Sequence, residues 1–355
     1  LGVGSKKSPD QHLRFSRLAS ELATRSGRAA ISQLGVASPA LRQHLRQLLE
    51  KPVGEGHSFL GDPVFEAMFP WEEAQETLAG LAGSLLEHRL VAAMDSPPTQ
   101  FEEQRFGADW HPYVHQLKSW HSLLSERPKS VVVTSGTGSG KTECFLVPIL
   151  NDLSRESSSL GRLIGVRALF LYPLNALINS QRDRLRAWTA AFDGDVRFCL
   201  YNGETPERVR PAEQRKTKQE VLSRLELRGE PPPILVTNAT MLEYMLVRNQ
   251  DAPIVNASKG RLKWIVLDEA HTYVGSQAAE LALLIRRVMQ AFGVVPGEVR
   301  FVATSATIGG GAADMPLQQG IADVAGVGTV QVEVFGGRRA TPSLPLVFLA
   351  AHERL

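Results

Sequence analysis

Short runs of consecutive apolar residues, each closed by glycine, proline or small polar residues, recur through the last two thirds of the chain. Val131-Val132-Val133, Ala168 to Tyr172, Phe198 to Tyr201, Ile234-Leu235-Val236, Trp264-Ile265-Val266-Leu267 and Phe301-Val302-Ala303-Thr304 are the clearest. Apolar at successive positions, and rich in β-branched and aromatic residues, they predict strands buried on both faces. Helix-length segments lie between them. One starts at Lys141-Thr142 and runs from Glu143 to Leu150. A second follows Pro173 and carries Gln181, Arg182, Arg184 and Arg186. A third, Glu207 to Arg228, has mixed charge and is expected to face solvent until Pro231-Pro232-Pro233 breaks it. A fourth runs from Ala279 to Phe292, with Gly293 as its C-terminal cap. The alternation across 128–308 predicts an α/β fold, a mostly parallel sheet with helices on both faces. Val330 to Phe335 is one more candidate strand.

The first hundred residues carry a different pattern. Leu13, Phe15, Leu18 and Leu22 keep a loose helical spacing between Gln11 and Arg25, beside Arg14, Arg17 and Arg25. These arginines suit either a phosphate backbone or a solvated face. Ser38-Pro39 is a helix start, followed by Leu41, Leu45, Leu48 and Leu49 at helical spacing. Gly54 to Pro70 reads as loop, with Phe59, Phe65, Phe69 and Trp71 forming an aromatic group suited to a core or a docking face. Glu72 to Met94 reads as one long helix that Ser96-Pro97-Pro98 ends. The resulting division is a helical accessory region over 1–104, an α/β domain over 105–310, and a glycine-rich, then mixed, tail over 311–355.

Composition narrows the class. Of 355 residues, 43% are hydrophobic and 21% charged, which excludes a disordered chain. A net charge of +2 gives no bulk attraction to nucleic acid, so any such binding needs a local surface. The two cysteines, Cys144 and Cys199, have no metal-ligand spacing, and Cys144 is expected to serve packing. No apolar run approaches membrane-spanning length and no signal peptide is visible, which suits a cytoplasmic protein away from membranes. A chain beginning at Leu1 reads as a piece of something longer.

The chemistry is concentrated where strands end. Val131-Val132-Val133 passes into Thr134-Ser135-Gly136-Thr137-Gly138-Ser139-Gly140-Lys141-Thr142. Glycines at alternate positions let backbone N–H groups curl around phosphates, and the helix that follows adds its positive end. Lys141 would reach the outer phosphates and the Thr142 hydroxyl would ligate Mg²⁺. The strict pattern asks for glycine at 135, where this chain has serine, a small residue that can still make the turn. A flexible Gly/Ser linker would not pass straight from three valines into Gly-Lys-Thr. Upstream, Gln116 has an amide that can pair with donor and acceptor on the adenine edge, although a His-Gln pair alone carries little information. Asp268-Glu269 closes the strand Trp264–Leu267. One carboxylate can hold Mg²⁺ while the other deprotonates an attacking water.

Taken in order, these residues resemble a superfamily 2 DEAD/DEAH-box helicase over about 105–310. Residues 135–142 resemble motif I, 172–181 motif Ia, 237–246 motif Ib, Asp-Glu-Ala-His at 268–271 motif II, and Ser-Ala-Thr at 305–307 motif III. The long forms of motifs Ia and Ib are most similar to the Lhr-like branch of large bacterial helicases, some of which serve antiphage defence systems such as DISARM or Druantia. The resemblance implies a RecA-like domain that binds ATP and Mg²⁺. ATP would be cradled by Ser135, Gly136, Thr137, Gly138, Ser139, Gly140, Lys141 and Thr142, with Gln116 reading adenine. Asp268 would hold Mg²⁺ and Glu269 would be the base. His271, Ser305 and Thr307 would couple hydrolysis to movement. Asn175, Gln181, Gly203, Thr205, Thr237 and Asn238 would lie along the backbone of a single strand, positioning it without reading sequence.

A helicase of this family has a second RecA-like domain, which supplies an arginine finger worth ~10³–10⁵ in rate in other nucleotide hydrolases. No motif of that domain is found before Leu355. The chain is therefore expected to bind ATP and to hydrolyse it poorly alone. An ATP-gated clamp that unwinds nothing, and RNA in place of DNA, both remain open at this level.

Overall fold

The computed structural model describes residues 11–51, 60–61, 69–136, 138–272, 276–306 and 314–341. They fall into two compact units, Leu1–Met68 and Phe69–Leu355. In the smaller, helix Gln11–Gln33 pairs with helix Pro39–Leu49. Ser38 caps the second helix, its side chain accepting from the Leu41 N–H. A Cβ on Gly27 would stand 2.6 Å from the Leu49 carbonyl oxygen, so glycine sets how closely the helices approach. Leu18, Leu22, Leu41 and Leu48 stay exposed.

The larger unit is built on seven strands: β1 Ser130–Thr134, β2 Ala168–Leu171, β3 Phe198–Tyr201, β4 Ile234–Thr237, β5 Trp264–Leu267, β6 Arg300–Ser305 and β7 Val332–Gly336. Their order across the sheet is β3-β4-β2-β5-β6-β1-β7, and every pairing is parallel. Side chains alternate between the two faces. Val131, Val133, Phe170, Trp264, Val266 and Val302 join one buried layer, with Trp120, Phe145 and Trp188 from the covering helices. Val132, Leu169, Leu171, Ile265, Leu267, Phe301 and Ala303 join the other, beneath helix Ser276–Phe292. The doubly covered parallel sheet read from the apolar runs is thus the one observed. Cys144 is fully buried in the first layer, and burial pushes its thiol pKa well up, as a packing residue requires. Among the described residues no helix is long and apolar enough to cross a membrane.

Three expectations are corrected. Glu72 to Met94 is not one helix: a short turn at Ala79–Leu81 and a helix at His88–Asp95 are separated by irregular chain. Tertiary hydrogen bonds replace the helical ones, from the N–H groups of Ala74, Leu78 and Ala79 to the carbonyls of Pro112, Trp110 and Ala108. This stretch packs within the larger unit, which begins at Phe69. Glu207 to Arg228 holds two short helices, Pro211–Lys216 and Arg224–Gly229. Between them the backbone pairs with β3, Phe198 N–H to Gln219 and Val221 N–H to the Phe198 carbonyl, so Glu220 and Val221 are buried rather than solvated. Helix Asp314–Ala325 lies in what was read as a tail.

Buried charge pins the half of the sheet around β3. Asp251 is fully buried and accepts from the Tyr201 hydroxyl at 2.9 Å and from Arg228 Nε at 2.8 Å. Asp251→Ala would leave the buried Tyr201 hydroxyl without its acceptor and Arg228 with Glu207 alone, and leaving a buried polar group unpaired costs about 1–3 kcal/mol. The urea midpoint should fall accordingly with an unchanged slope; a shift below about 1 kcal/mol would show that the pair does not hold β3.

Candidate active site

Because the strands are parallel and β5, β6 and β1 are neighbours, the loops that leave their C-terminal ends meet at one edge, where such sheets place ligands. The phosphate loop follows β1. Gly138 and Gly140 both have φ of +71°, and Gly140 precedes helix Lys141–Leu160. A Cβ at Gly140 would stand 2.1 Å from Gln116 Nε2, so both the backbone conformation and the close approach require glycine. Ser135, the departure from the strict pattern, has a role of its own. Its hydroxyl lies 2.6 Å from that of Ser139, both buried, and the pair closes the loop across its neck.

Lys141 Nζ donates to the Ser135 carbonyl at 3.1 Å and lies 3.9 Å from Glu269 Oε1. Asp268 is 8% exposed, and Thr304, at the end of β6, donates its hydroxyl to Asp268 Oδ1. The same Thr304 oxygen accepts from the Glu269 N–H at 3.1 Å. Burial raises the Asp268 carboxyl pKa and the neighbouring Glu269 adds to the rise; the Thr304 hydrogen bond and Lys141 oppose it. Glu269 has φ of +52°, left-handed for a residue with a side chain. Its other oxygen lies 3.2 Å from His271 Nδ1.

Lys141, Asp268 and Glu269 line one cavity of about 850 Å³, within the ~300–1,000 Å³ span of small-molecule sites. Gln116, Gly136, Gly138, Ser139, Gly140, Lys141, Thr142, Asp268 and Glu269 all border it. Both ends of the Gln116 amide are engaged by the chain itself, Oε1 accepting from the Tyr113 N–H at 2.8 Å and Nε2 donating to the Gly140 carbonyl at 3.1 Å. One N–H and one lone pair remain for a ligand. Ser305 is buried beside the start of the loop, its carbonyl accepting from the Ser135 N–H. Thr137 and Thr307 lie outside the described residues.

A second cavity of about 770 Å³ opens over the other half of the sheet and brings together Asn175, Gly203 and Asn238. Asn238 Nδ2 donates to Asn175 Oδ1 at 2.9 Å, while Asn238 Oδ1 caps helix Ala239–Val247. The other three candidates for the strand are placed differently. The Thr205 hydroxyl turns inward to the Leu200 carbonyl at 2.8 Å, and the Thr237 hydroxyl to the Tyr201 carbonyl at 2.6 Å; both side chains are buried and used within the fold. Gln181 borders the first cavity rather than the second.

Two residues of the first cavity region were missed in the sequence. Arg184, on helix Arg182–Thr189, enters the cavity and pairs with Glu143 at 3.0 Å. Thr304 read only as the last residue of a strand. Nothing in its local pattern marks it; its role exists because β5 and β6 pair in register, Leu267 opposite Ala303.

A family model described as DEAD/DEAH box helicase matches residues 113–315. Among curated proteins, the Druantia protein DruE of Escherichia coli (strain UMEA 4076-1) is 31% identical, the match covering 59% of this chain and 17% of that protein. The uncharacterized ATP-dependent helicase YprA of Bacillus subtilis (strain 168) is 28% identical over 55% of this chain and 23% of its own length. Among solved structures, the DUF1998 helicase MrfA bound to DNA and AMPPNP matches at a TM-score of 0.52 and 23% identity, over 78% of this chain and 32% of that one. The DEAD-box helicase Mss116 bound to ssRNA and UDP-BeF matches at 0.54 and 17%, over 74% and 46%. These structural likenesses establish a RecA-like fold. The chain spans less than a quarter of the length of either curated relative. The matched stretch starts just ahead of Gln116, runs past Ser305 and takes in more than half of the chain, and on that ground the chain belongs to the DEAD/DEAH box helicase family.

Proposed function

We propose that this chain is the first RecA-like domain of an ATP-driven motor on nucleic acid, acting with a second such domain elsewhere in a longer protein. The observation that carries the reading is the approach of Glu269 Oε1 to Lys141 Nζ, 3.9 Å apart in a shared cleft. The residues fit a magnesium nucleotide. The loop has glycine at the positive-φ positions 138 and 140, Lys141 is largely shielded beside Glu269, and a buried carboxylate faces the same space. Lys141 and the loop N–H groups would bind phosphate oxygens; Thr142 and Asp268 would hold magnesium, which supplies charge neutralisation when bound. Glu269 would accept the proton of the attacking water. Its left-handed backbone aims the carboxylate into the cleft, and Thr304 fixes that backbone and the Asp268 carboxylate with one hydroxyl. Gln116 would meet adenine with its remaining donor and acceptor.

DNA is the proposed strand, supported by the likeness to MrfA bound to DNA; the likeness to DruE supports a place in antiphage defence. Asn175, Gly203 and Asn238 would face the strand's backbone. Their cavity has no Lys or Arg among its described lining residues and contains Glu243 and Glu280, so its contacts would be neutral amides and backbone groups.

Three outcomes test this reading. Lys141→Ala should abolish binding of a fluorescent ATP analogue, whereas Glu269→Gln should bind it and lose turnover; equal turnover in Glu269→Gln would sink the assignment. Thr304→Val removes a donor and an acceptor together. It should cut turnover about tenfold or more, the scale of a buried polar group left unpaired, with Thr304→Ser restoring most of it. For the strand, log Kobs for single-stranded DNA should fall only shallowly with log salt, with a slope magnitude below about 2, since each neutralised phosphate adds about 0.7. A slope near 5 would place the strand on a basic surface elsewhere.

A further inference from the structure

The outer side of the phosphate loop is backed by an indole. Trp71 is 6% exposed and lies outside the nucleotide cavity. A Cβ on Gly136 would sit 3.6 Å from its ring, and one on Gly337 would sit 2.7 Å from the ring and 2.9 Å from Ser135 Cβ. There is no room between indole and loop for anything larger than glycine at 337. His115 meets the ring edge-on at 5.9 Å and reaches the far side of the loop, its Nε2 2.8 Å from the Ser139 carbonyl.

Two strips of chain hold the indole in place. On one side, the Glu72 N–H donates to Arg338 and the Ala340 N–H to Pro70, at 2.9 and 2.8 Å. Arg339 lies over the Trp71 ring, its guanidinium carbon 3.6 Å from the centroid, and donates from Nη1 to the Phe69 carbonyl at 2.8 Å. On the other side, the Val114 N–H donates to Glu72 and the Ala74 N–H to Pro112, at the entry to the helix that carries Gln116. The Gly337 N–H continues the sheet ladder to the Thr134 carbonyl, just before the loop. One tryptophan is thus shared by the phosphate loop, the start of the Gln116 helix and the segment leaving β7.

We propose that Trp71 is a positioning residue for the phosphate loop, clasped by Arg339, and that through it nucleotide binding is coupled to the segment 337–340 that leaves the sheet. The proposal rests on the reading of 135–142 as the nucleotide site. A nucleotide that orders the loop also firms the seat of the indole, and by linkage a firm indole raises nucleotide affinity by the same factor. The exposed Arg339 can be removed without opening the core, which Trp71→Ala would do.

The test uses the protein with a fluorescent ATP analogue and amide hydrogen exchange. In the unaltered protein, nucleotide should slow exchange at Glu72, Gly337 and Ala340. Arg339→Ala should keep the folded circular dichroism spectrum, abolish that slowing and weaken nucleotide affinity about threefold to thirtyfold, the range of a cation–π contact from exposed to desolvated. Trp71→Phe, which keeps a flat ring under the guanidinium, should retain the slowing. Nucleotide binding with no response at those three amides, or with unchanged affinity in Arg339→Ala, overturns the clasp and leaves the site reading intact. Failure of the unaltered protein to bind nucleotide overturns both.

Discussion

Parallel pairing is the constraint on which the rest depends. A strand in a parallel sheet must be followed by a crossover before its neighbour, so all seven strands deliver their outgoing loops to the same edge. That edge is where the loops leaving β1, β5 and β6 meet. Lys141, Glu269 and Thr304 are far apart in the chain, and they converge because β5-β6-β1 is a contiguous run in the strand order.

The same order divides the labour of the edge. The half containing β5, β6 and β1 bears the nucleotide cavity, where Lys141, Asp268, Glu269 and the glycine loop meet. The half containing β3, β4 and β2 bears the second cavity, around Asn175, Gly203 and Asn238. The two halves join where β2 pairs with β5, and helix Arg182–Thr189 leads from the chain that follows β2 back to the first cavity through Arg184. The electrostatics follow this division. Asp268, in the nucleotide half, has its carboxyl pKa raised by burial, and a hydroxyl and an ammonium partly offset the cost of its charge. On the other side, buried charge is structural: Asp251 and Glu220 anchor arginines that hold β3 and its flanking chain.

Where reading the sequence failed, tertiary contacts overrode local preference. Glu72 to Met94 has helical spacing, but the N–H groups of Ala74, Leu78 and Ala79 go to carbonyls of residues 108–112. Glu207 to Arg228 has the charge of a solvated helix, but Glu220 is the buried partner of Arg182 and Arg186. Thr205 and Thr237 have the residue type of backbone-contacting groups, and a hydroxyl beside a sheet end can turn either way. Here both turn inward to carbonyls of β3.

The sequence alone determined the strands, the doubly covered sheet, the glycine loop ahead of Lys141 and the Asp268-Glu269 pair. Each is a local pattern: consecutive apolar residues for burial on both faces, and glycine where φ must be positive or a Cβ would collide. Tertiary structure alone decided that Thr304 joins Asp268 to Glu269, that Gln181 belongs to the nucleotide cavity, and that Trp71 sits behind the phosphate loop under Arg339. Those facts depend on strand order and register, which are properties of pairs of distant segments and leave no trace in the periodicity of either one.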